Sequence, residues 1–120
     1  MSISRFVPVF LLAAAAFAEN PLACNLKALS PAEKKHHSEL GQKLRATGVE
    51  RRDLPDGLAI RLPAGVMTFA ELAVWVDAER RCCSFLDFHI DVQNGGSMAL
   101  SMTGRAGAKE AFLAQFDKTK

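Results

Sequence analysis

The chain has 120 residues, 15 of them basic and 13 acidic, for a formal net charge of +2, and a length of this order holds one domain. Its basic residues are interleaved with acids, tyrosine is absent and Trp75 is the only tryptophan. That composition excludes a nucleic-acid-binding stripe and a base-stacking platform.

Residues 1–18 read as a secretory leader. Arg5 supplies the positive start, residues 6–17 form the apolar stretch, and Ala16-Phe17-Ala18 is a small-x-small cleavage site before Glu19. The apolar stretch is shorter than the roughly 20 residues a membrane-spanning helix needs. Leu22-Ala23-Cys24 superficially resembles a lipid-attachment site. Pro21 stands where such sites carry leucine, however, and polar Glu19 and Asn20 separate Cys24 from the apolar stretch. The expectation is an exported protein, periplasmic or secreted, with no membrane contact once the leader is removed. About 100 residues then remain, enough for one modest core. An oxidising compartment also allows a disulfide from Cys24 to Cys82 or Cys83.

Residues 19–29 form a short lead-in to a single domain over residues 30–120. Ser30-Pro31-Ala32-Glu33 marks a helix start, with Ser30 as N-cap, Pro31 in the first turn and Glu33 closing a capping box. This helix is expected to reach about residue 46, with Gly48 as its stop and Leu40 and Leu44 on its buried stripe. Residues 49–54 and 58–62 flank Pro55-Asp56-Gly57 and read as a hairpin. Leu58, Ile60 and Leu62 alternate with Ala59 and Arg61, while Glu50, Arg51, Arg52 and Asp53 suit an exposed edge strand.

Thr68-Phe69-Ala70-Glu71 is a second capping box, opening a helix to about residue 83. At about 100° per residue, Leu72, Val76 and Cys83 share its expected apolar face, Glu79 flanks that face, and Trp75 and Cys82 fall together farther round. Residues 85–92 alternate, with Leu86, Phe88, Ile90 and Val92 on one side and Asp87, His89 and Asp91 on the other. Asn94-Gly95-Gly96 turns the chain, and Met98, Leu100 and Met102 return as the paired strand. A last helix over residues 106–117 buries Ala108, Phe112 and Phe116. The order α-β-β-α-β-β-α predicts an α+β fold, a four-stranded antiparallel sheet with helices on one face.

Three stretches carry a family resemblance. They are Cys24-Asn25-Leu26-Lys27-Ala28-Leu29 before Ser30-Pro31-Ala32-Glu33, Leu54-Pro55-Asp56-Gly57 before Arg61-Leu62-Pro63, and Glu79-Arg80-Arg81-Cys82-Cys83-Ser84-Phe85-Leu86. Together they resemble a group of small, uncharacterised bacterial proteins sharing an E-R-x-C-C-P-F segment. The resemblance spans most of residues 24–116. Ser84 departs from that pattern where proline is expected, and Leu58 where an aromatic is expected. No activity is established for the group, so the resemblance implies a fold and a site position, with Cys24 belonging to the domain.

The chemistry of the chain turns on Cys24, Cys82 and Cys83, its only cysteines. Thiolates select soft or borderline ions, here zinc, copper, mercury or arsenic. Folding Cys24 back onto the end of the second helix would gather three sulfurs, with Glu79 one turn earlier as an outer partner and His36 or His37 as weaker candidates. Three alternatives stand side by side. The first is a soft-metal or metalloid binder. The second is a non-catalytic module for an unidentified protein partner, with Cys24 in a structural disulfide. The third is a thiol-redox protein, disfavoured by the C-terminal helix end, whose dipole opposes thiolate formation at Cys82 and Cys83. Met98 and Met102 fit core spacing, and His89 between Asp87 and Asp91 fits a solvated strand face. There is no Gly-rich phosphate loop, C-x-x-C or G-x-S-x-G, so the reading leans away from an enzyme.

Overall fold

The computed structural model describes residues 21–47 and 50–117. The expected leader over residues 1–18, the stop at Gly48, the first residue of the edge strand and the last three residues of the domain lie outside the described residues. After a single 3-10 turn at Leu26–Ala28 come α1 (Pro31–Thr47), β1 (Glu50–Leu54), β2 (Gly57–Leu62), α2 (Phe69–Cys82), β3 (Asp87–Val92), β4 (Met98–Thr103) and α3 (Ala108–Phe116). The predicted order and the α+β class are observed.

Local chemistry explains where these elements start. At Ser30 the Glu33 N–H donates to Ser30 Oγ at 3.1 Å, and the Ser30 N–H donates to Glu33 Oε1 at 2.9 Å. Thr68 and Glu71 repeat the reciprocal pair at 3.0 and 2.9 Å. Each box satisfies two backbone donors that a helix start otherwise leaves unpaired. The hairpin between β1 and β2 closes over Pro55 and Asp56, and Gly57 is required there by close approach. A Cβ on Gly57 would run into the Met102 carbonyl of β4.

The sheet order is β1-β2-β4-β3, antiparallel throughout. Direct cross-strand partners share a face. Leu58 with Met102, Ile60 with Leu100 and Leu62 with Met98 therefore form the buried ladder of the two central strands. The helices cover this face, and Leu40, Leu44, Leu72, Trp75, Phe112 and Phe116 complete the main core against it. On the opposite face Arg61 and His89 are exposed. Charged β1 lies at the edge as expected, and Arg51 is paired by register with Ile60 on the covered side. There it binds Asp117 at 2.8 Å and lies over the Phe116 ring at 5.4 Å.

Three details depart from the periodicity. The buried arc of α2 consists of Leu72, Trp75, Ala78, Glu79 and Cys82, with Val76 only half-buried. It is turned by roughly 75° from the expected face, toward the bulk of Trp75, at the helical step of about 100° per residue. Leu86 is buried but precedes β3, whose Phe88 and Ile90 are half-buried and whose Val92 is 57% exposed. β3 is the far edge strand, so its end outruns the covering helices. The last helix starts at Ala108 instead of residue 106, because Gly107 takes a left-handed conformation (φ 90°) at its N-cap.

Candidate metal centre

The end of α2 divides the three sulfurs. Cys82 is the last helical residue, and Cys83 caps the helix in a non-helical conformation (φ −107°, ψ 72°). Cys83 is bonded to Cys24 in a disulfide, across 59 positions of sequence. Its side chain joins the main core, whereas Cys82 packs with Leu29 and Ala78 in a separate small cluster. The expected gathering of Cys24, Cys82 and Cys83 as three thiolates is therefore not what the fold presents. Adjacent positions near a helix end diverge by about 100°, and Cys24 meets only one of them. Cys82 is the free cysteine.

Further contacts hold the lead-in against this helix end. The Asn25 N–H donates to the Cys82 carbonyl at 2.7 Å. Arg81 donates to both Glu33 carboxylate oxygens at 2.7 and 3.2 Å and to the Ala28 carbonyl at 3.1 Å. These bonds satisfy carbonyls that helix ends otherwise expose. They also hold Leu29 over Cys82, which is 2% exposed.

Sealed in this way, the Cys82 thiol donates to the Ala78 carbonyl at 3.1 Å. Burial, reinforced by the Glu79 charge, pushes its pKa up to about 11. A thiol held protonated at neutral pH is a poor nucleophile, which counts against the redox alternative.

The adjoining chemistry comes from α1. His36 points to solvent, while the His37 side chain is 13% exposed and meets Glu79, whose side chain is 10% exposed. Their Nε2 and Oε1 atoms are 2.8 Å apart. A carboxylate can only accept, so the imidazole donates through Nε2–H. That Nδ1 is buried without a hydrogen-bond partner. The ring is fixed by stacking on Trp75, with centroids 5.4 Å apart and planes 20° from parallel. Trp75 is in turn held edge-on by Phe88 and Phe116.

A ring nitrogen of His37, a carboxylate oxygen of Glu79 and Sγ of Cys82 all lie within 4.8 Å of one another. This group could hold a metal ion. Donors around a tetrahedral ion at about 2.0–2.3 Å stand roughly 3.3–3.8 Å apart, so side-chain adjustments of about 1 Å would close the set. Glu79, expected at the flank as an outer partner, thus belongs to the donor group, and His37 rather than His36 supplies the nitrogen. Spacing holds a signal for this face, since Trp75, Glu79 and Cys82 at i, i+4 and i+7 share one side of a helix, but the polar Glu79 masks it in an apolar periodicity. Arg81 and Ala28, which fasten the lead-in, carry no such sequence pattern. Met98 and Met102 lie in the core, and exposed His89 stands apart on β3. Among the described residues no helix is long and apolar enough to cross a membrane. Comparison with protein-family models, curated proteins and solved structures matches nothing to this chain.

Proposed function

We propose that the chain is an exported protein that binds one borderline divalent ion, zinc in the first instance, through His37, Glu79 and Cys82. The convergence of imidazole, carboxylate and thiol from α1 and α2 on one buried point carries this reading. The mixed N/O/S donor set suits zinc. Copper(I), mercury and arsenic favour several thiolates, and with Cys24 bonded to Cys83 only one sulfur is free. The partnerless Nδ1 supports the reading, because a buried polar atom left unpaired costs about 1–3 kcal/mol and an ion could use its lone pair. Binding replaces the Cys82 proton, which passes to solvent, so the high thiol pKa makes the site selective for ions that bind sulfur strongly. The disulfide fits export to an oxidising compartment.

Cobalt(II) is a suitable probe for such a site. Titrating oxidised protein is expected to give one-equivalent binding with a sulfur-to-cobalt charge-transfer band in the near ultraviolet. That band should vanish in Cys82→Ser, and binding should weaken at least tenfold in His37→Ala. Oxidised wild-type protein that binds neither cobalt nor zinc at one equivalent would sink the reading. The observed disulfide favours a second reading, an interaction module whose bridge serves only stability, and the same failure to bind would support it.

A further inference from the structure

His37 and Glu79 also line a cavity of about 210 Å³, bounded by α1, α2, the lead-in and the end of α3. Its wall is mainly carbon, with Leu29, Trp75 and Phe116 supplying most of the character. An engineered apolar cavity of about 150 Å³ accepts benzene, so this space holds one ring with a small substituent. The surroundings favour a flat guest. The Trp75 indole is stacked on His37, and Phe116 stands edge-on to it at 6.1 Å.

Charge then selects among flat guests. Lys34 and Arg45 line the cavity as cations, and Glu79 is its one carboxylate. The Arg45 guanidinium lies over the Phe116 ring at 5.2 Å and feels the charges of Asp117 and Glu79. Among the described residues that line the cavity, two cations therefore face one carboxylate. Gly41 keeps the space open, since a Cβ there would stand 3.3 Å from Trp75 Nε1 and 3.2 Å from Arg45 Nη1. A glycine inside a helix costs about 1 kcal/mol relative to alanine, and that cost has a reason here if the cavity is used.

We propose that this cavity is a binding site for a small, flat organic anion, with one-ring aromatic carboxylates as the reference class. The carboxylate would lie toward Lys34 and Arg45, and the ring against Trp75 and Phe116. The site needs no metal. An ion held by Glu79 and the Cys82 thiolate would add one further positive charge and strengthen the same preference.

Benzoate titrated into metal-free, oxidised protein tests the idea, read by the fluorescence of Trp75 and by amide shifts of labelled protein. Saturable binding is expected, with shifts centred on His37, Gly41, Arg45 and Trp75. Benzylammonium, similar in size but cationic, should bind at least tenfold more weakly, a difference of about 1.4 kcal/mol. Lys34→Gln, on an exposed position, should weaken benzoate severalfold and leave benzyl alcohol unchanged. Gly41→Leu should abolish binding of both. If that variant does not fold, the Lys34→Gln comparison still decides. No saturable benzoate binding, equal binding of benzylammonium, or no change in Lys34→Gln would overturn the proposal. Each of these outcomes leaves the cobalt titration untouched, so this site and the metal centre fail separately.

Discussion

Cys82 and Cys83 are sequence neighbours that belong to two different structures. Cys83 faces the main core and is bonded to Cys24, anchoring the lead-in covalently. Cys82 faces α1 and remains a protonated thiol beside the His37–Glu79 pair. One residue step at a helix end separates stability from chemistry. The pair therefore acts as two single sulfurs, and each can be changed without changing the other.

The largest expected effect is on the Cys83 side. A bridge spanning 59 positions restricts the unfolded chain by about 4 kcal/mol in the chain-entropy argument. The double variant Cys24→Ala/Cys83→Ala should lose about that much stability in urea unfolding, yet still show the cobalt charge-transfer band. A loss below about 1 kcal/mol would mean that the bridge does not constrain the fold as this mechanism requires. Disappearance of the band would show that the two sides are coupled after all.

The Cys82 side is sharpened by Glu79. Glu79→Ala removes the one hydrogen-bond partner of the His37 ring and should cost about 2 kcal/mol, since a buried donor is left unpaired. His37→Leu with Glu79→Leu removes both polar groups, and chemical denaturation should find it nearer to wild type than Glu79→Ala. If the double variant is the less stable of the two, the pair is a net stabiliser and its retention needs no functional reason. Cys82→Ala is smaller still. It deletes one buried sulfur from a three-residue cluster and should cost about 1 kcal/mol, while abolishing the cobalt band completely. The contrast with the disulfide variant is then complete: much stability lost with the site intact, against little lost with the site gone.

How far the sequence discloses this arrangement depends on the range of the interaction. The capping boxes at Ser30 and Thr68, the Pro55-Asp56-Gly57 hairpin and the burial of Leu58, Ile60 and Leu62 are local, and they appear as read, although Ala59 on the opposite face is buried as well. So do the buried positions of α3, whose Ala108, Phe112 and Phe116 follow helical spacing. The arc of α2 was misplaced because Glu79 scores as polar. Its burial depends on His37, 42 positions away in sequence. The partner of Cys24 was open between Cys82 and Cys83 for a similar reason, as the choice lies in how Cys83 leaves the helix. Local patterns therefore placed the elements, and long-range partners chose the site.

The smallest expected effects are those of pH, and they separate the two sides once more. Glu33, held by Arg81 and by the Ser30 N–H, has its pKa lowered from 4.5 to about 2. A carboxylate whose pKa is depressed by folding contributes stability that is present above about pH 4.5 and is lost as pH falls toward 2. The Cys82 thiol does the reverse. Its pKa is raised from 9.0 to about 11, so its contribution is present below pH 9 and is lost as pH climbs toward 11. In metal-free protein, Arg81→Gln should flatten the acid limb of the stability curve and leave the alkaline limb unchanged. Cys82→Ala should flatten the alkaline limb and spare the acid one. Because the Glu33–Arg81 pair is solvent-exposed, its limb should also shrink in high salt, whereas the limb of the buried Cys82 should not. An Arg81→Gln curve that still falls as steeply in acid as the wild type would show that the Glu33–Arg81 pair contributes nothing to the acid limb.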